Sequence, residues 1–115
     1  MRFKLILSSI KTGITDQVVD AAKEAGATGA TIIPARGTGI HEAKTFFGLS
    51  LETQTDIIMI VAEEHLVKNI LEAIKEAGQF HKPGTGIAFV VPIDQVVGLE
   101  SQIGTLEEQI RKKYF

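Results

Sequence analysis

The chain has no cysteine among its 115 residues, which excludes a disulfide framework, a thiolate nucleophile and any zinc site of the CxxC type. A reducing compartment fits that composition. Nor is there an excess of charge of one sign. With 12 Lys and Arg against 14 Asp and Glu, no overall field draws in nucleic-acid phosphates or an anionic membrane surface. Long apolar runs are lacking too: the longest, Ile57 to Ala62, falls far short of the roughly twenty residues needed to cross a bilayer. The start, Met1-Arg2-Phe3-Lys4-Leu5-Ile6-Leu7, places a charge on either side of Phe3 and offers no cleavage site of small residues, unlike a signal peptide. These absences predict a cytoplasmic protein with no nucleic-acid partner and no direct membrane insertion.

What is present is 44% hydrophobic residues, enough for one core and one domain over residues 1–115, with no room for a separate catalytic domain. Residues 3–8 suit an opening strand, and Thr15 is placed to cap a helix whose apolar positions are Ile14, Val18, Val19, Ala22 and Ala25, ended by Gly26. A second strand is expected over 29–35, stopped by Pro34 and by Gly37-Thr38-Gly39, followed by a long polar loop from about Ile40 to Thr55. The apolar run 57–62 reads as a third strand. Leu66, Val67, Ile70, Leu71, Ile74 and Ala77 then form one helical stripe closed by Gly78. The two helices end on nearly the same hexapeptide, Ala21-Ala22-Lys23-Glu24-Ala25-Gly26 and Ala73-Ile74-Lys75-Glu76-Ala77-Gly78. A fourth strand is expected over 87–91, ended by Pro92. Thr105 and Glu108 have capping-box spacing for a short C-terminal helix, read as an appendage to the core.

The order β-α-β-β-α-β is the split βαβ pattern of an α+β fold. The right-handed crossover rule then gives an antiparallel sheet ordered 4-1-3-2, with both helices on one face. The third and fourth strands are apolar at consecutive positions, so both sheet faces are hydrophobic. A bare face of that kind is an aggregation hazard on a monomer, which predicts burial against further copies of the chain, a homo-oligomer.

Two Gly-x-Gly elements, Gly37-Thr38-Gly39 and Gly84-Thr85-Gly86, allow sharp bends that bring backbone N–H groups near an anion. A tight turn is the plainer reading of either alone, because the first lacks the third glycine of a dinucleotide fingerprint and neither has the lysine and hydroxyl of a P-loop. In the 4-1-3-2 sheet, however, both lie at one end on opposite edges, about 14 Å apart for strands spaced by about 4.8 Å. One chain does not close them on a single phosphate group. The expected ligand cleft therefore lies between subunits, lined by the 37–39 turn of one and the 82–86 loop of the next, with His81 and Lys82 adding positive charge.

The long loop contains Phe46, Phe47, Leu49 and Leu51, a cluster that suits a partner contact better than free exposure. Support for catalysis is thin. His41-Glu42 lacks the second histidine of HExxH, His65 falls in the first turn of the second helix as a surface residue, and no Ser/His/Asp set can be nominated. The acidic pairs Glu63-Glu64 and Glu107-Glu108 sit at helix starts, where the macrodipole accounts for them. The chain reads as a regulator and not an enzyme.

Gly29-Ala30-Thr31-Ile32, Gly37-Thr38-Gly39, the long loop, and above all Gly84-Thr85-Gly86-Ile87-Ala88-Phe89-Val90-Val91-Pro92-Ile93-Asp94-Gln95-Val96-Val97 resemble PII signal-transduction proteins over nearly the whole chain. The resemblance implies a homotrimer of ferredoxin-like subunits, regulation of nitrogen metabolism, and an adenine nucleotide (ATP, ADP or AMP) bound as an effector in the inter-subunit clefts. It also implies a T-loop, here about 40–55, that docks on a target transporter or enzyme. Carried over by position, Gly29, Ala30 and Thr31 lie near the adenine, Gly37 and Gly39 begin the T-loop, and Gly84 and Gly86 belong to the phosphate-side B-loop. The chain departs from the pattern at Ile87, where the family has a lysine, and at Gly98 and Glu100, where it has arginines. Three phosphate-neutralising charges are missing, which favours compensation by Arg36, Lys44, His81 or Lys82, or a less charged ligand such as AMP or a cyclic nucleotide. Phe46 and Phe47 stand where a modifiable tyrosine is expected, so uridylylation is not.

Two other classes share this topology. An ACT-like or CutA-like amino-acid-sensing or interaction module would use its glycine turns for structure alone. A ferredoxin-fold hydrolase like the acylphosphatases would need a catalytic asparagine beside Arg36, and none is convincing.

Overall fold

Alternation decides the first element. In β1 (Phe3–Lys11), Ile6, Ser8 and Ile10 are buried, while Leu5, Leu7 and Ser9 between them are half-buried. One face of the strand therefore meets a core and the other does not. The computed structural model describes residues 1–37, 44–46, 49–51 and 53–114. After β1 come α1 (Thr15–Glu24), β2 (Thr31–Gly37), a short antiparallel pair β3 (Lys44–Phe46) and β4 (Leu49–Leu51), and β5 (Thr53–Glu63). A 3-10 turn (Glu64–Leu66) then leads into α2 (Val67–Ala77), followed by β6 (Gly86–Pro92), a second 3-10 turn (Glu100–Gln102) and α3 (Ile103–Tyr114).

The main sheet is ordered β2-β5-β1-β6, all neighbours antiparallel. This is the expected 4-1-3-2 order read from the other edge, with β5 and β6 as the third and fourth strands. The register brings Ile6, Ile60 and Val90 into one row and Ile10 beside Gly86. Helices α1 and α2 cover this side: Val18, Val19, Ala22, Ile70 and Ile74 join Ile6, Ile10, Ile58 and Ile60 in one buried cluster. Each fully buried aliphatic side chain of this kind contributes roughly 1.5–3 kcal/mol.

Several local expectations are corrected. Thr15 does not cap α1. Ile14 holds the cap position without a side-chain bond, and the buried Thr15 hydroxyl donates to Asp56 Oδ2 at 2.5 Å, tying the start of α1 to β5. Pro34 sits within β2 and does not stop it, because β2 is an edge strand paired with β5 alone and a missing N–H is tolerated on the open side. Strand β5 begins at Thr53, so the last part of the expected 40–55 loop belongs to the sheet. Thr105 lies inside α3, not at its cap, and α3 is more than an appendage: Leu106 is 2% exposed and belongs to the core cluster.

The repeated hexapeptide ends the two helices one residue out of step. In α1, Gly26 takes the left-handed position (φ 124°), with Gly26 N–H donating to Lys23 O and Ala27 N–H to Ala22 O. In α2 the same pair of bonds runs from Gln79 N–H to Glu76 O and from Phe80 N–H to Lys75 O, and Gln79 is left-handed (φ 53°). Gly78 answers a different need: a Cβ there would lie 2.4 Å from the Phe80 ring and 3.0 Å from Ile74 O.

Candidate functional site

Three strand pairings place Gly37 and the second glycine turn. Gly37 pairs with Thr53, Lys11 with Thr55 and Ile10 with Gly86. Gly37 and Gly86 therefore share one end of the sheet but lie on its opposite edges, about 14 Å apart across the strands and about 10 Å out of step along them. Gly29, Ala30 and Thr31 stand at the other end of β2, about 20 Å from Gly37 along the strand. Ten of the twelve positions singled out in the sequence thus fall into a β2-edge group (Gly29, Ala30, Thr31, Arg36, Gly37) and a β6 group (His81, Lys82, Gly84, Thr85, Gly86) that one chain does not bring together. Thr38 and Gly39 lie outside the described residues.

The β6 group is held by its own bonds. The Thr85 hydroxyl lies 2.9 Å from both Gln79 O and Lys82 O, closing the 79–85 turn, and Lys11 N–H donates to Thr85 O at 3.0 Å. Gly84 is left-handed (φ 77°). At Gly86 a Cβ would meet the Phe80 ring at 2.7 Å and Ser9 O at 2.8 Å, so strand closure already requires this glycine. His81 and Lys82 are exposed on the turn's surface.

At the Gly37 end, a recess of about 360 Å³ is lined by Thr12, Pro34, Ala35, Arg36, Gln54, Thr55 and Asp56. It gathers one guanidinium, one carboxylate already accepting from Thr15, and neutral donors and acceptors. Asp56 and Thr12 gave no site signal in the sequence, since it takes the pairing of β2 with β5 to set Asp56 beside Pro34 and that of β1 with β5 to bring Thr12 to the same end. The tie between Thr28 Oγ1 and Gln102 Oε1 (2.8 Å), which fastens the start of the C-terminal arm beside Gly29, gave no sequence signal either.

At the opposite end of β5, Glu63, Glu64 and His65 bring three potential metal-ligand atoms within 4.8 Å. This cluster is explained as a helix start. Buried Glu63 accepts from His65 N–H through Oε2 (2.8 Å), and its Oε1 lies 2.6 Å from His65 Nδ1. That hydrogen bond, and then the Glu63 charge itself, raise the His65 pKa above 6.5. His65 is 61% exposed, as expected of a surface residue.

The family model described as Nitrogen regulatory protein P-II matches residues 3–102. The chain belongs to the P-II family. Relatives carrying that same description are 32% identical in Azospirillum brasilense, 31% in Rhodospirillum rubrum and 32% in Mesorhizobium japonicum. Each alignment covers 85% of this chain and 92% of the relative. Two of the positions at which the resemblance implies a basic residue, 87 and 98, are uncharged. Ile87 lies on the uncovered side of the sheet and is 60% exposed, and Gly98 is left-handed (φ 97°), a conformation that an arginine adopts only with strain. No helix among the described residues is long and apolar enough to cross a membrane.

Proposed function

We propose that this chain is a ligand-sensing regulatory subunit of a homotrimer. It binds an adenine nucleotide between neighbouring subunits and controls a target transporter or enzyme of nitrogen or related metabolism through a T-loop between β2 and β5. The observation that carries the reading is the separation of Gly37 from Gly84–Gly86: same sheet end, on the two outer strands of the sheet, neither paired further among the described residues. A ligand that needs both turns must take them from two copies.

The side of the sheet away from α1 and α2 supplies the reason for assembly. Its rows run Val61-Leu5-Val91, Thr31-Met59-Leu7-Phe89 and Ile33-Ile57-Ser9-Ile87. Phe89, Ile87, Ile33, Val61 and Val91 are exposed there in the single chain. A contiguous apolar surface of this kind, in a protein without an excess of one charge, favours burial against copies of itself. The names of the relatives support the regulatory role.

The effector is of low charge. The β6 turn carries His81 and Lys82 but not the further cations of the family pattern, so AMP or a cyclic nucleotide is favoured over ATP. Isothermal calorimetry with ATP, ADP, AMP and cyclic AMP tests this. Heat from none of the four removes the nucleotide reading and favours an ACT-like or CutA-like module, a reading that gains support from the structural need for Gly78 and Gly86.

A further inference from the structure

A second recess opens between α2 and β6, on the helix side of the sheet and away from the Gly37 turn. Its volume is about 320 Å³, and it is lined by Leu71, Glu72, Lys75, Phe80, His81 and Ala88. Leu71, Phe80 and Ala88 are half-buried against the core and form an apolar wall. Glu72 and Lys75, one turn apart on α2, put a carboxylate and an ammonium at the same recess. They face each other at 3.8 Å, with 59% and 60% of their side chains exposed. So long and exposed a pair holds its partners weakly.

At this size the recess is at the small end of ligand pockets. An apolar wall bordered by one cation and one anion complements a small zwitterion with an apolar tail: its ammonium meets Glu72, its carboxylate meets Lys75 with His81 alongside, and its tail lies on Leu71, Phe80 and Ala88. We propose that this recess binds a free α-amino acid with an apolar side chain, of about the size of leucine or phenylalanine. Such a ligand replaces one weak ion pair by two.

Phe80 connects the recess to the second glycine turn. Its ring fills the space that a Cβ would need at both Gly78 and Gly86, and the turn it opens is the one closed by the Thr85 hydroxyl. A ligand pressing on the ring is therefore felt at Gly84 and Gly86.

The test is an amide chemical-shift titration of the full chain with L-leucine and L-phenylalanine, run without nucleotide so that it stands apart from the nucleotide reading. Isoamylamine and isocaproate serve as analogues lacking the carboxylate and the ammonium. The expected result is saturable shifts at residues 71–75, 80, 81 and 88, with Gly84 and Gly86 following. Affinity should be roughly millimolar, the order for so small a ligand. Glu72→Gln and Lys75→Met should each weaken leucine binding by about threefold or more while leaving the circular dichroism unchanged. The proposal is overturned by no saturable shift at these residues with either amino acid, by binding unaltered in both variants, or by either analogue binding as tightly as leucine.

Discussion

Glu63 grips His65 twice, through the backbone N–H and through Nδ1, from a side chain that is 1% exposed. The pair fastens the end of β5 to the start of α2 at the sheet end opposite the glycine turns.

A pH dependence follows from this grip. Because the folded state raises the His65 pKa above 6.5, the pair's stabilisation is fully present below pH 6.5 and fades as pH rises through the raised value. Thermal unfolding followed from about pH 6 to about pH 9 should show a loss in the parent that is absent in His65→Gln. Identical slopes in the two proteins would refute it.

The staggered helix ends predict opposite outcomes for two similar changes. Gln79→Gly relieves a left-handed non-glycine residue and should stabilise the chain by about 0.5–1 kcal/mol. Gly26→Ala imposes that strain at φ 124° and brings a Cβ to 3.3 Å from Leu66, and should destabilise by about 1–3 kcal/mol in urea titrations.

Phe80 and Gly86 form a coupled pair. Gly86→Ala should destabilise by about 1–3 kcal/mol through overpacking. Phe80→Ala in the same chain should rescue only part of that loss, because Ser9 O still lies 2.8 Å from the added Cβ. Full rescue, or strict additivity, would show that the close contact at Gly86 is not the one described.

The hydroxyl of Ser8 is buried in mid-sheet without a hydrogen-bond partner among the described residues. Ser8→Ala removes an unsatisfied donor and should leave stability unchanged or raise it by about 1 kcal/mol. A clear loss in chemical denaturation would instead reveal a buried water bound there.

Phe89→Asp tests the apolar sheet face. Phe89 is 48% exposed in the single chain, so its loss should leave each subunit folded. Placing a charge amid Leu7, Met59 and Thr31 should convert the proposed homotrimer to monomers in sedimentation velocity. A parent chain that is monomeric at micromolar concentration would remove the trimer from the proposal.

The sequence by itself determined the order of the four main-sheet strands and the helices between them, their antiparallel arrangement and the family, but not the short β3–β4 pair within the expected loop. Apolar periodicity, glycine stops and crossover handedness are local or topological rules that need no coordinates. It also determined that both glycine turns share one end of the sheet, since that follows from strand direction alone. Only the tertiary structure decided what each residue does there. Pro34 lies within a strand because β2 is an edge, Thr15 serves Asp56 and not its own helix, and Leu106 turns a tail into part of the core. Gly78 and Gly86 are glycines because a single ring, Phe80, occupies the space beside both. These are contacts between residues distant in sequence or brought together by a turn, and spacing carries no signal for them until the chain has folded.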